Sequence, residues 1–226
     1  MKPRVKICCI GSIEEAQLAI KHGASALGLV SAMPSGPGPI AEELIAEIAS
    51  VIPPGVASFL LTSKQDAAAI IDQQRRCGTN TLQLVDRISV PVYQELRHAL
   101  PGIGLVQVVH VTGEESIVES ITVSEFVDAI LLDSGNQSLP VKELGGTGRM
   151  HDWSISRRIV ESVKVPVYLA GGLKPENVAE AIRQVQSFGI DLCSGVRTNG
   201  KLDAEKLANF FEQVNAMFPS SYVSVH

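Results

Sequence analysis

A chain of 226 residues with 45% hydrophobic and 19% charged side chains has globular composition and enough length to bury a substantial core, which excludes disorder. A net charge of −5 and an aromatic content of 4% remove the electrostatic and stacking basis for nucleic acid as the main partner. No run approaches the roughly 18 apolar residues of a membrane helix. Met1-Lys2-Pro3-Arg4 leads straight into a strand-like segment without a leader-like region, so a cytoplasmic protein with no membrane partner is expected. The four cysteines, Cys8, Cys9, Cys77 and Cys193, form no Cys-x-x-Cys pair and no Cys/His cluster at ligand spacing. Neither a metal nor a structural disulfide is expected.

Along the chain, short β-rich runs alternate with amphipathic helical stretches. Strand Val5–Ile10 is followed by helix Ile13–His22, Ala26–Val30 by Ala41–Val51, and Val56–Leu61 by Gln65–Cys77. Then come Thr81–Val85 with Val92–Ala99, Gly104–His110 with Glu114–Ser120, and Val127–Asp133 with Ser154–Val163. Pro166–Ala170 with Pro175–Gln186 and Gly189–Ser194 with Ala204–Phe218 complete the series. Ser12, with Glu15 three residues on, has the capping-box spacing, and Asp203 stands where it would cap the last helix. Gly23 and Gly78 stand where helices end, and Pro175 where one begins.

Strict alternation implies a parallel sheet. Eight units averaging about 28 residues favour a single (β/α)8 TIM barrel spanning residues 1–226, with a doubly wound open sheet as the alternative. No linker or low-complexity segment divides the chain. The larger loops are Pro34–Pro39 after the second strand and Ser134–Asp152 after the sixth.

A TIM barrel places its active site where strands end and the following loops begin. Gly171-Gly172 after the seventh strand and Ser194-Gly195 after the eighth are the two turns expected to hold a phosphate, because glycine lets backbone N–H groups approach an anion closely. Cys8 ends the first strand and Asp133 the sixth. A thiol and a carboxylate at one barrel mouth are suited to act as general base and general acid. Lys6, Arg87, Arg149 and Arg197 are the cations expected nearest that mouth. His110 ends the fifth strand and is read as structural.

Together these motifs resemble a known family. Lys6-Ile7-Cys8, Leu131-Leu132-Asp133, Gly145-Gly146-Thr147-Gly148 with Asp152-Trp153, Leu169-Ala170-Gly171-Gly172-Leu173 with Pro175-Glu176-Asn177-Val178, and Ser194-Gly195-Val196 with Gly200-Lys201 are similar, in this order, to phosphoribosylanthranilate isomerase. The resemblance covers essentially the whole chain and is densest from Phe126 to Phe211. It implies an Amadori rearrangement in tryptophan biosynthesis, without cofactor or metal, on a small phosphorylated substrate; the sequence leaves monomer or homodimer open. Cys8 would be the base that takes the proton from the second ribose carbon, and Asp133 the acid that protonates the ring oxygen. Gly171, Gly172, Ser194 and Gly195 would hold the phosphate; Lys6, Gly146 and Arg149 are further candidates for substrate contact.

Four positions depart from the family pattern. Cys9 stands where the family has glycine, Pro37 where it has an arginine for the anthranilate carboxylate, Gln83-Leu84-Val85-Asp86 where it has Gln-Leu-His-Gly, and Arg197 where it has an acid. The catalytic and phosphate positions are kept, whereas those facing the aromatic half of the substrate have changed. Two alternatives therefore stand beside the isomerase: a related barrel acting on another phosphorylated sugar derivative, and a non-catalytic phosphate-ligand binder. The pairing of Cys8 with Asp133 argues against a pure binder, which has no use for an acid and a base.

Overall fold

A computed structural model describes residues 1–135 and 149–219. Eight parallel strands close into a barrel, each followed by a helix: β1 (Arg4–Ile7), α1 (Ile13–His22), β2 (Ala26–Val30), α2 (Glu42–Val51), β3 (Ala57–Thr62), α3 (Ala67–Cys77), β4 (Thr81–Leu84), α4 (Val90–Ala99), β5 (Gly104–His110), α5 (Glu115–Ser124), β6 (Ala129–Asp133), α6 (Trp153–Ser162), β7 (Val167–Leu169), α7 (Val178–Val185) and β8 (Gly189–Leu192). A small antiparallel pair, β9 (Arg197–Thr198) and β10 (Lys201–Leu202), precedes the last helix, α8 (Ala204–Ala216). The pairing of β1 with β8, Arg4 opposite Gly189 through Ile7 opposite Leu192, closes the barrel and rules out the open-sheet alternative.

Period-two alternation sorts each strand into two faces. Ile7, Leu29, Leu60, Leu82, Leu132 and Ile190 point outward, where they pack under the helices in the main core. Val30, Phe59, Leu61, Val106, Leu131 and Tyr168 belong to a second cluster that fills the interior. A barrel of eight strands is therefore a packed core and not a pore. Gly189, at the lower end of β8, makes room for the Tyr168 ring, which packs edge-on against Phe59 with centroids 6.0 Å apart.

Local chemistry accounts for several helix ends. Ser12 accepts a hydrogen bond from the Glu15 N–H at 3.2 Å, and Asp203 accepts from the N–H groups of Glu205 and Lys206. Gly23 and Gly78 end α1 and α3 at φ of 106° and 64°. Glu15 departs from a regular capping box: its carboxylate accepts from the Gly11 N–H at 3.0 Å and not from Ser12. The seventh helix begins at Val178, three residues later than Pro175 suggests. Asn177 explains the delay, since its amide accepts from the Lys174 N–H and donates to the Gly172 carbonyl, both at 2.9 Å, which builds a turn in place of helix.

The first and eighth strands also end earlier than their apolar runs suggest. After Ile7 the chain leaves the sheet, and Cys9 takes a φ of 62°. After Leu192 it forms a short 3-10 turn, Ser194–Val196, and then β9 and β10, joined by Asn199-Gly200 with φ of 50° and 78°. That Asn-Gly pair is a hairpin signal in its own right.

A β-carbon at position 189 would lie 2.4 Å from the Tyr168 ring. Gly189→Ala is therefore expected to destabilise the fold by about 1–3 kcal/mol in urea denaturation, as overpacked cores do; an unchanged midpoint would mean that the ring yields without cost.

Candidate active site

At the carboxyl end of the barrel a cleft encloses about 660 Å³ of empty space, its open mouth included. Cys8, Asp133, Gly171, Gly172 and Ser194 all line it, so five of the residues singled out in the sequence meet in one place. Asp191, Gln83 and the Ser35–Pro37 edge of the loop after β2 complete much of the wall.

Cys8 sits one residue beyond β1, buried, its N–H donating to the Leu192 carbonyl at 2.9 Å. Its sulfur occupies space left by Gly28 on the neighbouring strand. A β-carbon there would come within 2.7 Å of the Cys8 Sγ and 3.0 Å of the Lys6 Nζ. Glycine inside a strand signals such close approach, and this was the available sequence clue to Gly28.

Asp133 is the last residue of β6 and is 8% exposed. One of its oxygens accepts from the Ser134 N–H at 2.7 Å, which fixes the carboxyl at the mouth. Across the cleft, Gly171 and Gly172 have φ of 83° and 64°, a conformation that strains other residues. The turn is also crowded: a β-carbon at 172 would lie 2.9 Å from the backbone of Arg149 and Met150. Gly195 lies behind the cleft wall, where a β-carbon would meet the Leu173 carbonyl oxygen at 2.1 Å. Only glycine lets the turns after β7 and β8 pack together here.

The remaining candidates are placed differently. Lys6 is fully buried inside the barrel, beneath the mouth, with its Nζ 2.9 Å from Asp191 and 5.3 Å from the centroid of the Phe59 ring. An inward position in the middle of β1, and not at its end, explains why it stands below the rim. Arg149 is exposed at the side chain, and its backbone packs on the Gly171-Gly172 turn. Arg87 does not line the cleft and pairs with Glu119 at 2.7 Å. Arg197 is tied to Glu15 at 3.1 Å. No lysine or arginine is among the described residues that line the cleft. Gly146, with the rest of Gly145–Gly148, lies outside the described residues. His110 is buried, with Nε2 placed 3.2 Å from the Val85 carbonyl, as suits a structural role.

Two residues escaped the sequence reading. Asp191 pairs with Lys6 through one oxygen, while the other is buried in the cleft wall with no partner among the described residues. Burial pushes its carboxyl up, against the opposing pull of Lys6. Burial also works against the Lys6 charge, but Asp191 and then Cys8 outweigh it and hold the ammonium above its ordinary range. The clue was a pair of opposite charges at inward positions of the first and last strands. Cys193 is the second residue. A hydrogen bond from Cys9 lowers its thiol, Arg197 adding to the effect against burial, while the Cys9 thiol is pushed up by Cys193, then Cys8 and burial.

Among the described residues no group of three His, Cys, Asp or Glu side chains is arranged to hold a metal ion, and no helix is long and apolar enough to cross a membrane. What the cleft offers is three thiols, two carboxyl groups and the turns after β7 and β8 at the carboxyl end of a (β/α)8 barrel, the class of site on which proton-transfer enzymes of this fold are built.

Residues 5–213 match the family model described as N-(5'-phosphoribosyl)anthranilate (PRA) isomerase, and the chain belongs to that family. It is 37% identical to N-(5'-phosphoribosyl)anthranilate isomerase 2 of Methanosarcina mazei over 217 residues, 95% of each chain. It is 36% identical to the enzyme of Methanocella arvoryzae, across 93% of this chain and 97% of that one. Among solved structures it resembles phosphoribosyl anthranilate isomerase from Thermotoga maritima, with a TM-score of 0.79 and 29% identity over 95% of this chain and 99% of that one. It also resembles a phosphoribosyl anthranilate isomerase in complex with reduced 1-(o-carboxyphenylamino)-1-deoxyribulose 5-phosphate, with a TM-score of 0.76 and 28% identity over the same shares.

Replacing Lys6 by methionine strands the Asp191 carboxyl in the barrel. Lys6→Met is expected to cost about 3–5 kcal/mol of stability by chemical denaturation, and Lys6→Met combined with Asp191→Leu to recover most of it. Equal stability of the single and double variants would show that the pair is not coupled.

Proposed function

We propose that this protein converts N-(5'-phosphoribosyl)anthranilate to the carboxyphenylamino-deoxyribulose phosphate, the Amadori rearrangement of tryptophan biosynthesis. The observation that carries this reading is the opening of Cys8 and Asp133 into one cleft whose far edge is formed by the Gly171-Gly172 and Ser194 turns. Family membership supports it, as does the reduced 1-(o-carboxyphenylamino)-1-deoxyribulose 5-phosphate held by the similar solved structure.

In this reading Asp133 donates a proton to the ring oxygen as the bond from that oxygen to the first ribose carbon breaks, leaving a protonated imine. Cys8 then removes a proton from the second carbon. The enol-amine that results tautomerises to the ketose product, so the proton count is conserved and no redox partner is required. The substrate phosphate lies against the backbone of the glycine turns, which bind an anion without a side-chain cation. Asp191, with one oxygen engaged by Lys6, offers the other to a ribose hydroxyl. We further place the enzyme in the cytoplasm, in keeping with four free thiols, as a monomer or homodimer.

The test is turnover of freshly generated phosphoribosylanthranilate, followed by loss of its fluorescence. Cys8→Ala and Asp133→Asn are each expected to reduce kcat by about a hundred-fold or more, the usual worth of a positioned acid or base. A well-folded wild type without turnover would sink the proposal, and variants as fast as wild type would remove these two residues from the mechanism. The edge formed by Ser35, Gly36 and Pro37 supplies no cation for the anthranilate carboxylate. Pro37→Arg is accordingly expected to lower KM by about ten-fold through a charge-assisted contact, with little change in kcat; an unchanged KM would mean that the carboxylate lies elsewhere.

A further inference from the structure

Cys9 has an unusual backbone. Three non-glycine residues among those described have positive φ: Cys9, Gln186 and Asn199. Gln186 ends a helix and Asn199 sits in a two-residue hairpin turn, places where a left-handed residue is ordinary. Cys9 lies at neither. It follows the end of a barrel strand, beside the thiol read above as the base, and has neither glycine's freedom nor the short polar side chain of asparagine. The departure from the sheet also leaves the carbonyls of Cys8 and Cys9 in need of partners, since a buried carbonyl without one is costly.

One side chain answers both demands. The Nη2 of Arg197 donates to the Cys8 carbonyl at 3.2 Å and to the Cys9 carbonyl at 2.5 Å. Its Nη1 donates to the Gly200 carbonyl at 3.0 Å. Glu15 grips the same guanidinium, its two oxygens each 3.1 Å from one Nη. Glu15 is itself fixed by the N–H groups of Gly11 at 3.0 Å and Leu202 at 2.8 Å. Although burial opposes it, Arg197 and these backbone bonds hold the Glu15 carboxyl below its ordinary range. The Arg197 side chain is 8% exposed and does not line the cleft, so it is not a cation waiting for substrate. It follows directly on the Ser194–Val196 turn.

We propose that Arg197 is a positioning residue for the reaction: clamped by Glu15, it holds the Cys8–Cys9 turn in its left-handed form and ties that turn to the glycine turn after β8. The two departures at positions 9 and 197 are then one device, an arginine that stabilises a turn glycine would adopt unaided. The consequence for turnover rests on Cys8 being the base; the clamp itself rests on these contacts.

The experiment is a double-mutant comparison of Arg197→Ala and Cys9→Gly, read by kinetics and by urea unfolding. Arg197→Ala is expected to lower kcat by about ten-fold or more, because a misplaced base is costly, while KM changes less than about three-fold. Adding Cys9→Gly is expected to recover a large part of that loss in both readouts, which a merely structural arginine would not allow. Arg197→Lys, whose ammonium lacks the planar fork, should fall between. Should Arg197→Ala not fold, the comparison is made with Arg197→Lys. Losses at the two positions that simply multiply, or an Arg197→Ala enzyme with full kcat, would overturn the proposal. If the wild type proves inactive, the functional reading fails by itself, and the clamp is decided by whether Cys9→Gly shrinks the loss of unfolding midpoint caused at position 197.

Discussion

Pairing of β1 with β8 is the constraint from which the rest of this molecule follows. It abolishes the sheet edges and sets Lys6 opposite Asp191, with one residue from each end of the chain buried in the same layer of the barrel. Neither charge is tolerable there alone; together, at 2.9 Å and over the face of Phe59, they form a charged floor inside the barrel. The same closure puts the Cys8 N–H on the Leu192 carbonyl and thereby sets the thiol beside the turn after β8.

The cleft above that floor has an unusual balance of charge. Its described lining contains Asp133 and Asp191 and no lysine or arginine. Under the proposed function, the described part of the lining meets an anion through backbone N–H groups, which carry their partial charge without a long side chain to order. Close packing explains why glycine is required around the cleft. Gly172 presses on the Arg149 backbone and Gly195 on the Leu173 carbonyl, while Gly28 leaves space for Cys8 and Lys6. Each spends backbone entropy so that two parts of the mouth can touch.

Much of this was legible in the residues. Alternating periods announced eight βα units, and Ser12 and Asp203 cap the helices they precede. The convergence of Cys8, Asp133 and the glycine turns followed from the rule that strand ends meet at one face. Less legible were the features set by competition between neighbours. Pro175 marked a helix start that Asn177 postponed by turning its amide on Gly172 and Lys174. The strand at Val5–Ile10 was read three residues too long, because nothing local shows that Cys9 turns left-handed.

Period, caps and glycine placement are properties of a few adjacent residues, so the sequence by itself determined the (β/α)8 repeat, the strand ends that meet at the cleft, and the family to which the chain belongs. Which residues separated by most of the chain would touch was decided only by the tertiary structure. Lys6 and Asp191 lie 185 positions apart, and Glu15 and Arg197 lie 182 apart. The physical reason is closure: a buried charge finds its partner across the seam between the first strand and the last, and that seam exists only once the barrel has formed.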